Sequence, residues 1–145
     1  MKHSALKYLA LCASLLVASA STPATAHHAF AAQYDSEKPV TLTGVVVKID
    51  WLNPHAYFYI DVEDETTGEI ATWASELTSP VGLMRRGWTR NSMKIGDIVV
   101  VDGILARDGS AMMNAQSVVL TSTGQKLFTR SPGEERLSNE NRNQR

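Results

Sequence analysis

Between Val40 and Thr121 apolar and polar residues alternate in short runs separated by turn signals, a period of two that a half-buried β-strand needs and a helix cannot use. The clearest run is Ala56 to Glu63, with Phe58, Ile60 and Val62 on one side and Tyr57, Tyr59 and Asp61 on the other. The branched and aliphatic side is the expected core. An earlier strand is predicted over Thr41 to Asp50, with Val45, Val47, Ile49 and Trp51 sharing the buried face. Asn53-Pro54 is a strong turn pair between the two. A third strand, Glu69 to Leu77, places Trp73 and Leu77 opposite Thr72, Ala74 and Glu76.

The period then changes. Ser79 suits a helix N-cap, Pro80 the first helical position, Arg85 and Arg86 the last turn, and Gly87 the left-handed residue that ends a helix. Lys94 to Asp97 turns the chain into the apolar strand Ile98 to Ala106, and Asp108-Gly109 reverses it into Ala115 to Thr121. Three strands, a short helix and two strands is the order of a small five-stranded OB-like Greek-key barrel, so the expected class is all-β with one short helix. An open sandwich is the rival arrangement.

The N-terminus has another character. Lys2 and Lys7 precede an uncharged apolar stretch from Tyr8 to Ala20, too short for a comfortable membrane span, and Ala24-x-Ala26 offers small residues to a signal peptidase. Cys12 follows Leu11 inside the apolar stretch, which does not suit lipid attachment. The expected organisation is a signal peptide over 1–26, a barrel over 27–128 and a disordered polar tail over 129–145, placing the protein in the periplasm or secreting it. Cleavage removes Lys2 and Lys7 from 14 basic residues, leaving 12 against 15 acidic ones, a formal charge of −3. Bulk attraction to nucleic acid or an anionic membrane is not indicated. The sole cysteine leaves with the signal, so no disulfide or thiolate metal site is expected in the mature chain. Arginines at 130, 136, 142 and 145 are largely offset in the tail by Glu134, Glu135 and Glu140.

Two constellations could carry function. The first is metallic: a terminal His27 offers its α-amino group and imidazole Nδ1 to one ion, and a third nitrogen from His28 or His55 would complete a set suited to tetragonal Cu(II). Against it, a polar chain start tolerates any residue, and His55 has an equal structural role as a cap on the Asn53-Pro54 turn. The second follows from strand parity. His55, Tyr57, Tyr59 and Glu76 fall on the outward face of strands two and three, the ligand surface of OB-type barrels, with Arg85, Arg86 and Trp88 able to overlook one end. Aromatic faces, a carboxylate and guanidinium forks suit a polar small molecule or a sugar. The structural alternative puts the tryptophans in the core or rim and sets the arginines against the helix C-terminus. No nucleophile elbow, zinc-protease or phosphate-loop motif occurs, and His55 with Glu76 is the lone acid–base candidate, so binding is expected rather than catalysis.

His27-His28-Ala29-Phe30, Trp51-x-Asn53-Pro54-His55, Trp73-Ala74-x-Glu76-Leu77 and Arg85-Arg86-Gly87-Trp88-Thr89 resemble a family of small exported bacterial proteins with a domain-of-unknown-function label. The likeness runs from about His27 to Phe128. It implies a single exported β-rich domain and brings no activity or ligand. Three function classes follow: a binding or accessory module for a small polar ligand, a copper-binding protein, and a structural or inhibitory partner of another exported protein.

Overall fold

Alternation becomes structure most directly in the strand Tyr57–Glu63, which we label β2 after β1, Tyr34–Asp50. Phe58 and Ile60 are fully buried and Val62 is half-buried, while Tyr57, Tyr59 and Asp61 lie on the other side. Each large apolar side chain buried this way contributes about 1.5–3 kcal/mol. The computed structural model describes residues 30–129. The expected signal peptide, His27, His28 and residues 130–145 lie outside them. The chain falls into two compact units, Met1–Ala32 and Gln33–Arg145. In the first, the described residues 30–32 are helical. The second holds all the elements that follow.

Asp64 ends β2 by accepting backbone hydrogen bonds from Thr66 and Thr67 at 2.8 and 2.9 Å, which holds its carboxyl below the usual range. Gly68, at φ 72°, completes the turn into β3, Ile70–Glu76. After α1, Pro80–Met84, come β4, Ile98–Ala106, β5, Met112–Leu120, and β6, Lys126–Phe128. The sheet order is β3-β2-β1-β4-β5-β6, and a parallel pairing of β3 with β5 closes the first five strands into a ring. Ala74–Glu76 pair there with Met112–Asn114. The expected all-β class is the one observed: an OB-like ring of five strands with a short helix between β3 and β4, to which β6 adds a sixth strand.

β1 departs from the expected parity. Val46 is fully buried, whereas Val45 and Val47 are 40% and 37% exposed. The cause is a β-bulge: Val46 pairs with Ile60 but Lys48 pairs with Tyr59, so Val47 is an extra residue that inverts the alternation. Beyond it Ile49 and Trp51 pack on the core as expected. The strand also begins at Tyr34 rather than Thr41, because its first half pairs with β4 and only its second half with β2. Gly44 sits at that handover, where a Cβ would lie 2.5 Å from the Asp61 carbonyl oxygen.

The helix obeys its N-terminal cues, with Ser79 Oγ accepting from Gly82 N at 3.2 Å and Pro80 in the first turn. Arg85 and Arg86 follow its last residue instead of filling the last turn, Arg85 being the C-cap, and Gly87 takes the expected positive φ of 88°. Leu83 and Trp88 enter the core from this segment. β5 starts three residues before the expected Ala115 because Met112–Asn114 are needed to close the ring. β6 was not anticipated from the sequence. Thr129, just after it, is buried and donates to the carbonyl of Gln116 from its backbone at 3.0 Å and its hydroxyl at 2.9 Å, so the barrel holds the chain through that residue.

Candidate ligand-binding face

The loop from Trp51 to Ala56 is tied to the end of β3 by two backbone bonds: Ala56 N donates to Thr78 O, and Leu77 N donates to Ala56 O. The Asn53-Pro54 peptide is cis. Ala56 is fully buried, which turns its neighbours His55 and Tyr57 outward together. Register places Tyr57 directly opposite Glu76 on β3. The His55 imidazole Nδ1 meets Glu76 Oε1, and the Tyr34 hydroxyl donates to Glu76 Oε2. Both carboxylate oxygens are thus engaged.

Burial differs sharply across this cluster. Glu76's side chain is 5% exposed and His55's is 50% exposed. Glu76 therefore lies on the outward row, as parity requires, but is covered. The cover is Tyr34, itself 2% exposed and seated where β1 begins. Arg107 fastens that seat: its backbone N donates to Gln33 O at 2.9 Å, its Nε donates to Tyr34 O at 3.1 Å, and it pairs with Asp35 at 3.4 Å. Burial, and then hydrogen bonding to the Glu76 carboxylate, push the Tyr34 phenol far above its ordinary range. Burial and the charge of Glu76 push Tyr57 up as well. With Nδ1 held by a carboxylate, Nε2 is the ring nitrogen that His55 presents outward, as acceptor when neutral and as donor when protonated.

The row continues along β2. Tyr59 stands between Lys48, whose amine lies 4.7 Å above its ring, and Ala74 on β3. Lys48 also pairs with Asp50 at 2.6 Å, a hydrogen bond that raises its own pKa. One pair further on, Thr72 Oγ1 donates to Asp61 at 2.6 Å. His55, Tyr57, Tyr59 and Glu76 thus come together as expected.

The remaining expected contributors do not join them. Trp88 is 2% exposed and packs in the core instead of overlooking the face. The Arg86 guanidinium folds back to donate to Gly82 O at 2.9 Å, satisfying a helix carbonyl. Arg85 is exposed at the helix C-cap. Near Trp88, a recess lined by Trp51, Leu77, Thr89 and Met93 has a volume of about 10 Å³, room for roughly one water, while Arg90 lies 6.0 Å over the Trp51 ring. Among the described residues no group of three or more His, Cys, Asp or Glu is arranged to hold a metal ion. Sequence reasoning missed Tyr34 and Arg107. Nothing near Tyr34 in the chain signals that it will meet a carboxylate 42 positions away.

The model of a family of unknown function, DUF6152, matches residues 13–115, well over half of the chain. The chain belongs to this family. No curated protein and no solved structure matches it. In this DUF6152 member the match takes in β1 to β4 and the start of β5, so it includes Tyr34, His55, Glu76 and the ring-closing residues.

The Tyr34 contact should show in alkaline stability. A native-state phenol that holds its proton above the ordinary value of about 10 favours folding below that pH, and the benefit is lost as pH rises beyond it. The urea midpoint is expected to fall above about pH 10, and the Tyr34→Phe variant should fall less steeply. Equal slopes would remove Tyr34 from this role.

Proposed function

We propose that this DUF6152 member is an exported, non-catalytic binding or accessory module that takes a small polar ligand on the outer face of β2 and β3. The observation that carries the reading is the covered Glu76 carboxylate. A buried charge on a sheet face is costly unless fully partnered, and here its partners fix the orientation of a half-exposed imidazole. That is preorganisation of a contact group beside two tyrosines. Export rests on the apolar stretch Tyr8 to Ala20 and the Ala24-x-Ala26 site, with the periplasm or the medium as destination. Among the described residues no helix is long and apolar enough to cross a membrane.

A second reading, Cu(II) binding through nitrogen ligands, draws support from the same contact, because metal-binding imidazoles commonly hold a carboxylate on their other nitrogen. One experiment addresses both. The protein recovered after export is measured by native mass spectrometry with metal analysis, alongside a Tyr57→Ala/Tyr59→Ala variant. The expected result is a chain beginning at His27 with a non-protein adduct that the variant lacks. A retained N-terminus overturns export, while an adduct shared by both proteins overturns the binding face. Stoichiometric copper favours the second reading, and recovery in complex with another exported protein favours a partner role.

A further inference from the structure

The binding-face reading leaves the chemistry of the ligand open, and the charge pattern of the face narrows it. Three aligned strands present Asp50, Tyr57 and Glu76 in one row, Lys48, Tyr59 and Ala74 in the next, and Asp61 with Thr72 beyond them. Observed contacts corroborate these rows: Lys48 reaches the Tyr59 ring and Asp61 reaches Thr72. Glu63 and Ile70 continue the outward side of the same hairpin. Three carboxylates, Asp50, Asp61 and Glu63, therefore share the face beside the covered Glu76, with the imidazole of His55 and one lysine, which is already ion-paired to Asp50.

That balance has the wrong sign for the oligonucleotide ligands many OB-type barrels take on the corresponding surface. Single-stranded nucleic acid needs a cationic track for its phosphates as well as aromatic stacking, and these rows offer the stacking with the opposite sign of charge. Carboxylates accept strongly from hydroxyl and amine donors. The tyrosines, two positions apart on one strand, stand about 7 Å apart. Beside Tyr59 the β3 position holds only the Ala74 methyl group, so the strip steps down there between Thr72 and Glu76. A run of ring-shaped, hydroxyl-rich units matches this surface.

Building on that binding reading, we infer that the face binds a saccharide with uncharged or amine-bearing units, stacked along Tyr57 and Tyr59. Its hydroxyls or amines donate to Asp50 and Asp61, and His55 Nε2 reads one further polar group.

The test uses the full exported chain and calorimetry with four probes: tetra-N-acetylchitotetraose, its amine-bearing glucosamine tetramer, tetragalacturonate and oligo-dT. The first two are expected to bind and the last two not. Tyr59→Ala should weaken binding by about tenfold or more, and Tyr59→Phe by less than about threefold. Circular dichroism of each variant confirms that it is folded. Preferential binding of tetragalacturonate would overturn the uncharged or amine-bearing character of the saccharide, and preferential binding of oligo-dT the saccharide class, each leaving a binding face in place. Absence of saccharide binding, with a non-sugar adduct found on the recovered protein and lost in the tyrosine variant, would overturn the saccharide alone. Saccharide binding unchanged in Tyr59→Ala would overturn both the inference and the face.

Discussion

Replacing Trp88 by Ala is expected to cost the barrel about 3–5 kcal/mol, the range for deleting a large aromatic from a packed core. Its indole is 2% exposed and packs with the core that Leu83 and Met93 also enter. Against the 5–15 kcal/mol that holds a typical domain folded, the loss leaves little margin. The melting temperature should fall by roughly 15 °C or more. Urea unfolding followed by far-ultraviolet circular dichroism measures it. Arg85→Ala, an exposed neighbour from the same Arg-Arg-Gly-Trp motif, should stay within about 0.5 kcal/mol of the parent. A Trp88→Ala protein of parental stability would contradict the core placement and return the indole to the ligand face.

Replacing Glu76 by Ala is expected to cost about 2–4 kcal/mol, for a different reason. Truncation strands the buried Tyr34 hydroxyl without its acceptor, while the half-exposed His55 can turn to solvent. Most of the loss should therefore run through Tyr34. In a Tyr34→Phe background the same truncation should cost less, because no donor is left stranded, and the double-mutant cycle should show coupling of about 0.5–3 kcal/mol. Additive losses would mean that the phenol and the carboxylate act independently. The His55 ring should also lose its fixed orientation, visible as averaged imidazole resonances.

How far such a molecule can be read from its residues depends on the range of the interaction involved. β2 is legible because its alternation is local and unbroken, and α1 because Ser79, Pro80 and Gly87 act within one turn of chain. β1 is misread at Val45 and Val47 because three consecutive valines fit either parity, and pairing with β2 decides which is surplus. β6 escapes notice because three residues carry no period and Leu127 is its one buried anchor among the described side chains. The candidate face is half legible. Its β2 row follows from parity, but the covering of Glu76 depends on Tyr34, brought there by strand pairing with β4. Trp88 and Arg86 show the converse: residue types common in binding sites are drawn inward or back onto the helix by nearer partners.

The closure of the ring sits at the same place as the candidate face. β3 meets β5 through Ala74, Ser75 and Glu76, a short parallel join beside the long antiparallel ladders elsewhere. The last residue of that join is the carboxylate that orients His55. Opening the hoop at its shortest suture would separate Glu76 from its β5 partner and disturb the His55 and Tyr34 contacts in the same event. A molecule held on the proposed face would therefore act as a clasp on the barrel, its affinity reappearing as resistance to opening.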